Sequence, residues 1–141
     1  AIEYIHKKLE RVYQHIQELE RDVDAFLSQA PQRTLIDYDA EAAQAFNDFH
    51  GNRQVPPELS IITGDILYQL RSSLDHLICA LILKEHGTLS DKSQFPIFRF
   101  GPTTKDDLKS YQRQIEGITR PEVVAIIKDA QPYTRGNGWP S

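Results

Sequence analysis

The stretch Pro57–Gly87, PELSIITGDILYQLRSSLDHLICALILKEHG, decides the fold. Ile62, Ile66, Leu70, Leu74, Leu77 and Leu81 recur at steps of three and four, which puts them on one face of an α-helix, and Ile78 and Ile82 widen that face. Apolar residues over so much of the circumference predict a central helix contacted on several sides. Pro57 suits a first helical turn, and Gly87 is expected to be the stop signal. Near the middle stands Arg71-Ser72-Ser73-Leu74-Asp75-His76. A polar group buried without a partner costs about 2–7 kcal/mol, so this cluster must be hydrogen-bonded, paired or functional.

Upstream, Ile2, Ile5, Leu9, Val12, Ile16, Leu19, Val23, Phe26 and Ala30 hold a heptad spacing for four repeats. That is a narrow apolar seam on a long helix, which Ala30-Pro31 should end because proline disfavours a helical residue before it. Glu3, Lys7, Lys8, Glu10 and Arg11 read as solvated flanks. The seam suits one arm of a helical bundle or an intermolecular coiled coil. Residues 33–56 break the period and are expected to form a small β-hairpin packed on the bundle. Downstream, Gln94–Phe100 reads as extended, and Pro96 argues against a central strand. Thr103 or Thr104 should cap a third helix, with Asp107 completing a capping box and Leu108, Tyr111 and Ile115 facing inward to about Gly117. Thr119 is expected to cap a short fourth helix with Pro121 in its first turn, ended by Gln131-Pro132-Tyr133. The predicted fold is mainly α: a helical bundle with a long N-terminal helix, a central helix and a small extended or β-hairpin insertion, in one domain over residues 1–141.

Composition narrows the setting. At 141 residues, 40% hydrophobic and 26% charged, the chain matches an ordinary globular protein. Its longest apolar run, Leu77–Leu83, is shorter than the roughly 20 residues a membrane span needs, so no membrane partner is expected. One cysteine, Cys79, rules out an internal disulfide and points to a reducing, cytoplasmic setting. A net charge of −4 means that a nucleic-acid partner would need a local basic surface. The chain lacks methionine, starts inside a helical pattern and ends on a Gly-Asn-Gly loop, as expected of a piece trimmed from a longer protein.

Several chemistries lack their residues. No two of His6, His15, His50, His76 and His86 are four apart, and H-E-x-x-H does not occur. Asp65 and His76 lie about 16 Å apart along a helix, too far to share a metal, so no metal or other cofactor is expected. Gly136-Asn137-Gly138 lacks the lysine and helix of a phosphate loop, and there is no nucleophile elbow. Arg71 and His76 remain. They stand about 140° and about 7.5 Å apart on an ideal helix. Arginine offers a charged fork suited to phosphate, and histidine moves protons near neutral pH. The same residues also make a purely structural set, since Arg71 and Asp75 are spaced for an ion pair and His76 can bond Ser72 one turn back.

The R-x4-H pattern of Arg71 and His76 resembles the signature of the HEPN superfamily. Those are all-α domains, many of them metal-independent ribonucleases acting as dimers with paired motifs. The resemblance implies that Arg71 holds the scissile phosphate and that His76 is the general base or acid, leaving a cyclic phosphate. Asp75 would orient and Ser72 assist. Ser72 stands where that family often has asparagine, and Ile78 where it often has an aromatic. The implied partners are RNA, a second copy of the chain and, for a toxin or defence enzyme, an antitoxin-type protein. The wider pattern LRSSLDHL, FPI and QPY also resembles an uncharacterised bacterial family that brings no activity. The competing expectation is a non-enzymatic interaction domain that dimerises through the seam of residues 2–30.

Overall fold

The computed structural model describes residues 2–29 and 54–134. They contain four helices and no strand: α1 (Ile2–Ser28), α2 (Pro57–Lys84), α3 (Lys105–Gln114) and α4 (Pro121–Asp129). The fold is mainly α, with the long first helix and the central helix the heptad and the Pro57–Gly87 pattern predict. The hairpin expected over 33–56 lies outside the described residues, apart from 54–56, which lead into α2. The helix stop at Ala30-Pro31 also lies outside them. The chain divides into two compact units, one of Ala1–Leu9 with Leu70–Ser141 and one of Glu10–Gln69.

In the first unit, Ile78 and Ile82 are fully buried and gather Phe95, Ile115, Ile118 and Ile127 around them. Leu74, Leu81, Tyr111, Val123 and Val124 pack against that core. Each fully buried aliphatic side chain contributes roughly 1.5–3 kcal/mol. Ile78 and Ile82, expected only to widen an apolar face, are its centre, whereas Leu70 and Leu77 are exposed. Ile115, which follows α3 as its C-cap, is buried as expected, but Leu108 on α3 is exposed. In the second unit Val12, Ile62 and Ile66 are buried together, with Leu19 against them. By length and composition α2 is also long and apolar enough to cross a membrane.

The helix ends show how the first unit is tied. At the end of α2 the His86 N–H donates to the Leu83 carbonyl at 3.1 Å and the Gly87 N–H to the Ile82 carbonyl at 2.9 Å, a Schellman motif. His86, not Gly87, takes the left-handed backbone, with φ 61°. Glycine is needed at 87 for room: a Cβ there would stand 2.8 Å from Ile82 Cγ2 and 3.2 Å from Gly117 Cα. Helix α3 has the capping box anticipated for Thr104 and Asp107.

Thr119 does not cap α4. The N-cap is Arg120, which makes no capping bond with its own side chain. Glu85 supplies the acceptor instead: its Oε2 takes the Thr119 N–H at 2.6 Å, the Thr119 hydroxyl at 2.6 Å and the Arg120 N–H at 3.2 Å. Arg120 Nε donates to its Oε1 at 3.2 Å. The Thr119 bonds, followed by those of Arg120, hold the Glu85 carboxyl down at about 2, from an ordinary 4.5. A carboxylate here also meets the positive end of the α4 dipole.

The Phe95–Phe98 segment is extended and is bonded by side chains rather than by a sheet. Gln131, fully buried, donates through Nε2 to the Pro96 carbonyl at 2.7 Å and the Ile127 carbonyl at 3.2 Å. Its Oε1 accepts the Phe98 N–H at 3.3 Å. The Phe95 N–H goes to Asp75 Oδ1 at 2.9 Å. The three sequence blocks LRSSLDHL, FPI and QPY therefore meet as one hydrogen-bonded frame.

Candidate functional site

All four residues that the R-x4-H resemblance singles out lie on α2, within the first unit, but they separate into two pairs. Arg71 and Asp75 form one. Arg71 Nε donates to Asp75 Oδ2 at 3.1 Å and Nη2 approaches Oδ1 at 3.1 Å, a two-point ion pair about one-third exposed on both sides. Asp75 Oδ1 also receives the Phe95 N–H, so its carboxylate joins α2 to the extended segment. Asp75, anticipated as an orienting group, is engaged with Arg71 and the Phe95 N–H.

His76 and Ser72 form the other pair, one turn apart. His76 is exposed, and its Nδ1 lies 2.7 Å from the Ser72 carbonyl oxygen and 3.4 Å from Ser72 Oγ. A carbonyl can only accept, so Nδ1 carries the hydrogen in this contact. Every hydrogen-bond contact of the ring with a described residue is at Nδ1. Nε2 is then the basic nitrogen of the neutral ring, oriented by a backbone bond on the far side as proton-transfer histidines often are.

Two residues of α1 complete the cluster. Lys8 Nζ donates to Ser72 Oγ and lies 3.1 Å from His76 Nδ1. The Tyr4 ring meets the imidazole edge-to-face, with centroids 5.4 Å apart, and Lys8 Nζ sits 4.9 Å from the Tyr4 centroid. Spacing along α1 shows only that Tyr4 and Lys8, four residues apart, share a helix face. Among mixed charges Lys8 reads as a solvated flank, and only tertiary packing brings it to His76.

The arrangement offers an exposed proton acceptor with a cation and a hydroxyl beside it. No metal ligand is needed for what those groups can do: accept a hydroxyl proton, hold an anion and orient both. Comparison with protein families, curated proteins and solved structures returned no match.

Proposed function

We propose that this chain is a nucleic-acid-processing domain of the HEPN type that cleaves RNA without a metal, with His76 as its proton-transfer group. The observation that supports this reading is the state of the His76 ring: exposed, fixed at Nδ1 by the Ser72 carbonyl at 2.7 Å, with a lysine beside it. In the reaction, Nε2 takes the proton of the ribose 2′-hydroxyl as O2′ forms a bond to phosphorus. The bond from phosphorus to the 5′-oxygen breaks, the leaving oxygen takes a proton from water, and the hydroxide left behind takes the proton held on Nε2, which restores the base. The products are a 2′,3′-cyclic phosphate and a 5′-hydroxyl. A cation at the phosphate offsets the charge that gathers on its oxygens, the largest single contribution in many transfers of this kind. The test is cleavage of a labelled RNA in the presence of a chelator, by wild type and by His76→Ala and His76→Gln. General acid–base catalysis supplies about 10²–10⁴-fold, so both variants should lose that much while keeping their helicity. Equal cleavage by all three, or none by any, would overturn the reading.

A second reading, a homodimer built on α1, is favoured by one observation. Along the heptad seam Val12 is buried, but Ile2 and Leu9 remain 65% and 42% exposed. Sedimentation should then show a wild-type dimer and a Leu9→Glu monomer of unchanged helicity. A monomeric wild type would reject this reading. Leu19 is a poor probe, because it packs against Val12, Ile62 and Ile66.

A further inference from the structure

We infer that Lys8 of α1, rather than Arg71, takes the phosphate group at the His76 site; this rests on the reading of that site as one for phosphodiesters. The two cations differ in what already holds them. Arg71 is engaged at two points by Asp75, whose Oδ1 is in turn needed by the Phe95 N–H. To bind phosphate, its guanidinium must leave that carboxylate or bring a second anion beside it, and like charges in close contact repel. Arg71 is thereby committed to the frame.

Lys8 has only neutral partners among the described residues: Ser72 Oγ, the His76 ring and the face of Tyr4. It makes no ion pair with any of them. Its contact with His76 is also unsatisfied. Nδ1 cannot accept from Lys8 while giving its own hydrogen to the Ser72 carbonyl, so the ammonium keeps donors to spare. A phosphate oxygen satisfies those donors and the uncompensated charge together. It does so at the Nδ1 edge of the imidazole, across the ring from the Nε2 that takes the 2′-hydroxyl proton. On a chain of net charge −4 one such cation counts for more than it would on a basic protein.

The experiment measures binding, so that it does not depend on cleavage. The full chain is titrated with an RNA oligonucleotide made uncleavable by a 2′-deoxy residue, and separately with inorganic phosphate, while the imidazole resonances of His76 are followed by NMR. Four proteins are compared: wild type, Lys8→Met, Arg71→Gln, and the double variant Arg71→Gln/Asp75→Asn, which keeps a neutral hydrogen-bonded pair if the single change fails to fold. Lys8→Met should weaken oligonucleotide binding about tenfold or more, the usual scale of a hydrogen bond to a charged group. It should also lower the slope of log affinity against log salt by about 0.7, the share of one phosphate contact on a single strand. The His76 resonances should move with ligand in wild type and in whichever Arg71 variant folds, and stay fixed in Lys8→Met. Lys8→Met binding as wild type does, a folded Arg71 variant losing affinity, or inorganic phosphate binding where the oligonucleotide does not would each overturn the assignment. Lys8-dependent binding without any RNA cleavage by wild type would uphold it and reject the ribonuclease reading instead.

Discussion

Gln131 ties the Phe95–Phe98 segment to the end of α4. It is fully buried and makes three hydrogen bonds, two of them to the Phe95–Phe98 segment. Gln131→Leu keeps the bulk but leaves the Phe98 N–H and the Pro96 carbonyl unpaired, at about 1–3 kcal/mol for each buried group. Urea unfolding should show that loss as a lower midpoint at unchanged slope. A midpoint within error of wild type would mean that water replaces the amide. At this scale sequence reading was uneven. The spacing of Arg71 and Asp75 forecast their pair, and Ser72 one turn before His76 forecast theirs. It could not show that Asp75 and Gln131 would both be used on the same extended segment, since 20 and 33 residues separate the bonded partners. Lys8 escaped for the same reason: its partners lie 64 and 68 residues away.

The helices were legible because their signals are local. Apolar steps of three and four mark α1 and α2, Pro57 opens α2, and Thr104 with Asp107 opens α3. Their ends were less so, because two are completed from outside the helix. At the end of α2, His86 holds a left-handed backbone that costs an ordinary residue roughly 1–2 kcal/mol, so His86→Gly should raise thermal stability. Gly87→Ala should lower it, because its Cβ meets Ile82 and Gly117. Calorimetry on the pair checks both signs. At α4, Glu85 makes helix stability depend on pH. Its carboxyl titrates at about 2 in the folded chain against an ordinary 4.5, so its stabilisation is fully present above 4.5 and lost as the pH falls toward 2. The melting temperature should drop over that window, and Glu85→Gln should flatten the drop. Some slope will remain from Asp107, whose carboxyl the Thr104 hydroxyl and N–H also hold below its ordinary value. A wild-type profile that is flat from pH 5 to 2 would exclude both contributions.

Across the whole molecule the two units are unequally built. Among the described residues the first has six buried apolar residues in its cluster and the second has three. Local opening follows the apolar surface that must be exposed, so amide exchange should be slower over Ile78–Ile82 than over Ile62–Ile66, although both lie on α2. Equal protection along that helix would mean that the units open together. The mainly α class was readable from the chain at this scale, but the division was not. An apolar repeat reports that a face is buried and says nothing of which residues bury it.

The frame around Phe95–Phe98 also bears on how the chain is made. Its amide and carbonyl groups wait for a glutamine at position 131, near the C-terminal end of the described residues. A ribosome delivers α1, α2 and the Asp75 carboxylate first, and the Phe95 N–H can be paired as soon as it emerges. Pro96 and Phe98 stay open until α4 has followed. The first unit therefore closes only once Gln131 has emerged, and a chain stalled before it presents an unfinished segment to proteases and chaperones.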